Sequence, residues 1–124
     1  MDFETISGQM LAKANHYMAV PDSEGGRRII KDKEFREYER NFRKQCTVYR
    51  GRLIDRPFKL HAVVYHSSLR FDLDNSLKNL LDLLQDVKAI TNDSLCMEIE
   101  AKKVIDRTRP RVTFAIEEFE PRFF

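Results

Sequence analysis

The stretch Arg70-Phe71-Asp72-Leu73-Asp74-Asn75-Ser76-Leu77-Lys78 decides how this chain is read, together with Asp93, nineteen residues after Asp74. Before it runs Phe58-Lys59-Leu60-His61-Ala62-Val63-Val64-Tyr65-His66, opened by Pro57. That segment is rich in β-branched and aromatic residues and reads as a strand. After it, Leu77, Leu80, Leu81, Leu84 and Val87 recur at helical spacing, so 75–88 reads as a helix with Asp74 at its N-cap. Two acids two residues apart thus stand where a strand runs into a helix. In extended chain their side chains share one side. Lys78 lies one helical turn beyond Asp74, and Asp93 falls in the turn Thr91-Asn92-Asp93-Ser94.

Working outward, 32–49 reads as another helix. Asp32 is its expected N-cap, Phe35, Tyr38, Phe42, Cys46 and Tyr49 form the apolar stripe, and Gly51 follows near the end. Leu95, Met97, Ile99 and Ala101 alternate with polar residues as in a half-buried strand. The phase breaks at Lys103-Val104-Ile105, where a bulge or strand end is expected. Val112, Phe114 and Ile116 give a last strand after Pro110. Residues 1–26 offer a queried strand and a turn at Pro21-Asp22-Ser23-Glu24-Gly25-Gly26. The expected order is β–α–β–α–β–β in a single domain over residues 1–124. Its class is α+β or α/β, with a mixed sheet of about four strands and two main helices.

Composition sets outer bounds. With 124 residues, 42% hydrophobic and 34% charged, the chain supports one core. No stretch approaches a membrane span. The acidic start Met1-Asp2-Phe3-Glu4-Thr5 is unlike a signal peptide. Cys46 and Cys96 form no metal-ligand cluster, and two free thiols fit a cytoplasmic protein. The net charge of +2 conceals an uneven distribution. Residues 27–52 hold ten basic and four acidic side chains, a net +6. Residues 72–106 hold eight acidic and four basic, a net −4. A basic region attracts a nucleic-acid backbone, and an acidic one concentrates a divalent cation.

Asp72, Asp74 and Asp93 are the candidate metal ligands. Mg²⁺ takes oxygen ligands and binds through a few carboxylates plus a substrate phosphate. Lys78 is the candidate for stabilising charge on that phosphate. The geometry has one difficulty: a helix of some fourteen residues, about 21 Å long, separates Asp93 from Asp74. The bland alternative makes Asp72 and Asp74 helix caps and Asp93 a turn residue. An EF-hand is excluded, because Leu77 stands where that loop needs glycine and no glutamate closes it.

The pattern Asp72-x-Asp74-Asn75-x-x-Lys78, an amphipathic helix and then Asp93 resembles the RusA family of Holliday-junction resolvases, small phage and bacterial endonucleases. Lys13-Ala14-Asn15-His16-Tyr17 loosely resembles the family's N-terminal region, and the basic helix around Phe35–Lys44 and the strand Pro57–His66 stand where the family has them. The resemblance implies a homodimer with two Mg²⁺-dependent sites, Mn²⁺ being the alternative ion. It implies metal binding by Asp72, Asp74 and Asp93, with Lys78 as catalytic lysine. The partner would be branched DNA, nicked symmetrically at a four-way junction, with roles in recombination and repair. Two features depart from the pattern: Arg70 is the one charge in Ser67-Ser68-Leu69-Arg70-Phe71, where a well-known member of the family carries a run of arginines, and Asn92 precedes the third acid, where the family often has an acidic residue. Arg27, Arg28, Arg36, Arg40, Arg70, Lys102 and Lys103 are the candidate DNA contacts.

Two other readings compete. Glu100-Ala101-Lys102 with Pro21-Asp22 imitates a restriction-type nuclease. A non-catalytic DNA-binding or assembly module would use the Arg27–Arg52 surface alone. His61 and His66 read as packed or surface side chains, His16 as a residue near DNA, and Phe71 as core rather than a base-stacking wedge.

Overall fold

The computed structural model describes residues 1–12 and 16–120; positions 13–15 of the N-terminal resemblance lie outside them. In chain order the elements are β1 (Glu4–Ser7), β2 (Tyr17–Pro21), β3 (Arg27–Lys31), α1 (Lys33–Gln45), β4 (Phe58–His66), α2 (Leu73–Asp86), a 3-10 turn (Asp93–Leu95), β5 (Cys96–Ile105) and β6 (Arg111–Glu118). Four strands form a mixed sheet in the order β1-β6-β4-β5, and β2 and β3 form a separate hairpin. β4 runs parallel to β5 and antiparallel to β6. The class is α+β, with a mixed four-stranded sheet and two helices.

β4 is the axis of the core. Phe58, Leu60, Ala62, Val64 and His66 are buried, while Lys59, His61, Val63 and Tyr65 are half-buried. That alternation follows from the two-residue period of a strand with one covered face. α2 contributes Leu80, Leu83 and Leu84 to the core, and α1 contributes Phe35, Tyr38 and Phe42. Phe42 stacks on Phe114 of β6 with ring centroids 6.2 Å apart.

α1 ends four residues earlier than its apolar stripe predicts. The cause is the buried carboxylate of Glu4, on β1. It accepts the backbone N–H groups of Thr47 (2.6 Å), Val48 (2.9 Å) and Tyr49 (3.1 Å). Those groups would bond back into the helix if it continued. Tyr49 still reaches the core, where its hydroxyl accepts the Ile116 N–H at 3.1 Å. The chain then reverses through Gly51, whose φ of +76° favours a residue without a Cβ.

Two further expectations change. α2 begins two residues sooner than expected: Asp72 is the N-cap and Asp74 lies in the first turn. The Ser76 N–H bonds to the Asp72 carbonyl at 3.2 Å, which starts the helix there, and the Ser76 hydroxyl bonds to the same carbonyl at 2.7 Å. The two acids therefore do not share an extended segment. β5 ends at Ile105, the strand end expected there; its ladder runs unbroken to the pair His66↔Ile105, and the one irregularity lies at Phe58/Lys59. Met97 and Ile99 on β5 are 59% and 43% exposed, because β5 is an edge strand. Residues 21–26 do form a turn, with Asp22 accepting the Glu24 and Gly26 N–H groups. The strands it joins, β2 and β3, were not legible as a hairpin.

Glu4→Ala is expected to destabilise the fold by about 2 kcal/mol, since it strands the buried Tyr49 N–H and the part-buried N–H groups of Thr47 and Val48. Glu4→Gln, which keeps one acceptor, should fall between. Chemical denaturation reads both, and an alanine variant as stable as wild type would remove Glu4 as the cause of the helix end.

Candidate active site at the β4–α2 junction

β4 leaves the sheet at His66, and a short loop carries the chain to the start of α2. Asp72 and Asp74 are both exposed there. The Asp72 side chain makes no capping bond to the helix and accepts instead from Asn75 Nδ2 at 3.2 Å. Its carboxylate is thus free of the helix backbone. Lys78 is exposed one turn further along α2. The positive end of the helix dipole favours anions at this point, whether carboxylates or a phosphate.

Beneath the exposed acids lies a buried polar chain. Gln9 Oε1 accepts the Ser67 N–H at 2.8 Å, which fixes which way the amide points. Gln9 Nε2 then donates to the Met10 carbonyl and to His66 Nδ1. His66 Nε2–H donates to Ser76 Oγ at 2.8 Å, and Ser76 donates to the Asp72 carbonyl. Burial, with a smaller push from the Lys103 charge, lowers the His66 imidazole to about 4. A protonated ring would also set two donors against each other at Nδ1. Phe71 is half-buried and stacks on His66 with centroids 5.1 Å apart, and the Arg70 guanidinium lies 4.7 Å from the Phe71 ring centre.

Asp93 stands elsewhere. Its N–H donates to Gln85 Oε1 at 3.0 Å, beside the last turn of α2. It precedes the start of β5, which pairs with the start of β4, whereas Asp72 follows the end of β4. One chain therefore does not bring Asp93 to Asp72 and Asp74. Among the described residues there is no group of three or more His, Cys, Asp or Glu side chains able to hold a metal ion.

The basic candidates are dispersed. Arg27 and Arg28 are exposed on the β2–β3 hairpin, Arg36 and Arg40 on α1, Arg70 on the site loop and Lys102 on β5. Lys103 differs: its ammonium donates to the Leu69 carbonyl at 3.2 Å and the Phe71 carbonyl at 2.8 Å. Two exposed arginines absent from the sequence reading, Arg107 and Arg109, lie on the β5–β6 loop. That loop is tied to the end of β4, since the Asp106 N–H donates to the His66 carbonyl at 2.9 Å. Bonds from Arg111 hold the Asp106 carboxyl down at about 2. A count of charge along the chain misses these arginines because only the parallel pairing of β4 and β5 puts their loop at the site end.

For the restriction-type reading, Asp22 caps its own hairpin turn, while Glu100 faces His61 Nδ1 at 3.2 Å and Lys59 at 3.8 Å on the main sheet. His61 is flanked on its other side by Glu117 at 2.8 Å, and His16 bonds to Asp32 at 2.8 Å.

The His66 ring is expected to stay neutral in an NMR titration until the pH approaches about 4, against an ordinary value of 6.5. Because its folded value is depressed, its contribution to stability is full above 6.5 and is lost as pH falls through about 4. A ring that titrates at the ordinary value would contradict the buried, donor-lined setting.

Among known proteins, a family model described as endodeoxyribonuclease RusA matches residues 7–117. No curated protein matches the chain. The matched span runs from the end of β1 into β6 and includes Asp72, Asp74, Lys78 and Asp93. The chain belongs to the RusA family of endodeoxyribonucleases.

Proposed function

We propose that this protein is a homodimeric, divalent-metal-dependent endonuclease that resolves four-way DNA junctions by paired symmetric nicks. The observation that carries the reading is the exposed pair Asp72 and Asp74 at the start of α2, with Lys78 one turn away, in a chain of this family. Arg70 on the same loop and Arg107 and Arg109 on the neighbouring one supply positive charge for the DNA backbone. The work of such an enzyme is cytoplasmic, in recombination, repair or the clearing of branched phage DNA.

The donor set suits Mg²⁺ or Mn²⁺: exposed carboxylate oxygens, open to water. When bound there, such an ion would lower the pKa of a coordinated water and neutralise charge on the scissile phosphate. Asp72 and Asp74 would hold the ion, and Lys78 would offer an ammonium to the phosphate oxygens.

Asp93 joins this site only from a second copy. Asp74 lies in the first turn of α2 and Asp93 bonds to Gln85. Eleven residues of helix, roughly 16 Å, lie between those two contact points. One ion cannot bridge that span. Among the described residues β5 pairs only with β4, and its other edge carries the exposed Met97 and Ile99. An unpaired apolar edge invites a second strand. Two copies of β5 laid antiparallel about a two-fold axis would set the start of one strand beside the end of the other. Asp93 of the partner subunit would then approach Asp72 and Asp74, and two equivalent sites would result.

The first test is cleavage of a labelled four-way junction and of linear duplex in Mg²⁺, using wild type and Asp74→Asn. Paired nicks by wild type alone support the reading. Binding without cutting in either Mg²⁺ or Mn²⁺ would favour a non-catalytic DNA-binding module, and duplex cutting that survives Asp74→Asn would favour the Glu100–Lys102 site. The second test mixes inactive Asp74→Asn with inactive Asp93→Asn. A shared site leaves one intact centre in each mixed dimer, so about a quarter of wild-type centres return at random pairing, seen as single nicks. If each chain carries a whole site, the mixture stays inactive.

A further inference from the structure

The acids of the site are exposed, yet the segment that presents them is held from below at several points. Three of these points are backbone carbonyls. Lys103 Nζ takes those of Leu69 and Phe71, and Ser76 Oγ takes that of Asp72. The Phe71 ring is in turn stacked on His66. Lys103 reaches the loop because it stands opposite the buried Val64 in the parallel β4–β5 ladder, near the end where β4 leads into that loop. Its ammonium binds carbonyls rather than the carboxylates above.

The remaining support is a directional chain of neutral groups. Its links run one way: Ser67 N–H to Gln9, Gln9 to His66, His66 to Ser76, and Ser76 to Asp72, with the second Gln9 N–H on the Met10 carbonyl. The chain joins three parts of the sequence that meet only in the fold: the segment after β1, the end of β4 and the first turn of α2. A helix N-cap needs none of this. A single bond from Ser76 N–H to the Asp72 carbonyl already begins α2.

We propose that the Gln9–His66–Ser76 relay and the Lys103 ammonium are positioning groups, which fix residues 69–72 so that the Asp72 carboxylate is aimed before any metal arrives. The inference rests on the nuclease reading for what the aimed carboxylate does. The aim itself is a property of the metal-free protein. Lys103 thereby leaves the set of DNA contacts and becomes part of the site's frame. Partners of this kind commonly change metal affinity by about 10–100-fold when removed.

The test uses full-length Ser76→Ala, Lys103→Met and Lys103→Arg. Alanine is the better helix former, so Ser76→Ala removes the relay's last link without weakening α2. Lys103→Met keeps the aliphatic stem, and Lys103→Arg restores a cationic donor. Mn²⁺ affinity is read by the loss of the free-ion EPR signal. Backbone order is read by amide hydrogen exchange of residues 69–76 in the metal-free protein. Expected are Mn²⁺ binding weakened by about tenfold or more in Ser76→Ala and Lys103→Met, faster exchange confined to that segment, and partial recovery in Lys103→Arg. The Mg²⁺ concentration for half-maximal nicking should rise in parallel, while the rate at saturating Mg²⁺ changes much less. Folded variants with wild-type Mn²⁺ affinity and wild-type exchange would overturn the positioning role. A wild type that neither binds Mn²⁺ nor cuts would instead overturn the nuclease reading, and the exchange data would still decide whether the segment is held as described.

Discussion

The parallel pairing of β4 and β5 is the constraint on which the rest of the structure depends. Parallel neighbours cannot be joined by a tight turn, so the chain must return along the sheet before β5 begins. α2 makes that return. Its start, with Asp72 and Asp74, is fixed at the end of β4, and its finish, with Gln85 and then Asp93, at the opposite end of the sheet. The same pairing carries the end of β5 back to the site end, bringing Lys103 under the loop and Arg107 and Arg109 beside it. One topological necessity therefore assembles the acidic pair and its frame, and separates the third acid from them.

What could be read in advance was whatever depends on local periodicity. β4 alternates cleanly because one face is covered for its whole length. The stripes Phe35–Tyr38–Phe42 and Leu80–Leu84 mark α1 and α2 for the same reason. The misreadings all come from contacts between distant segments. Nothing near Cys46 in sequence reveals that Glu4 will capture the next three N–H groups. Met97 and Ile99 alternate like buried residues, yet an edge strand leaves them open within one chain. The N-cap moved from Asp74 to Asp72 because both residue types suit a cap, and the backbone N–H of Ser76 closes the first turn on the Asp72 carbonyl.

Charge was legible in amount and illegible in placement. The basic excess of residues 27–52 is real, but the fold divides it among a hairpin, a helix and the turn after it. Part of it is committed to ion pairs: Lys31 with Glu39 at 2.7 Å, Arg43 with Asp86 at 2.9 Å and Arg52 with Asp2 at 2.9 Å. These pairs are too exposed to stabilise the fold by much. Their effect is to leave a smaller set of unpaired cations, and the ones on loops lie where a ligand can reach them.

The division between a neutral relay and one charged clamp has a physical logic. A cation placed against the Asp72 carboxylate would stabilise it as well as a metal does, and would compete with one. The support here avoids that contact. His66 carries no charge above about pH 4, and the Lys103 ammonium is turned to carbonyl oxygens that no metal needs. The frame thus constrains the backbone without neutralising the acids it presents. Two carboxylates at an exposed helix start, with no cation bonded to either, repel one another, and a divalent cation would relieve that repulsion. The burial of the frame and the exposure of the acids are therefore parts of one arrangement, with rigidity below and unbalanced negative charge above.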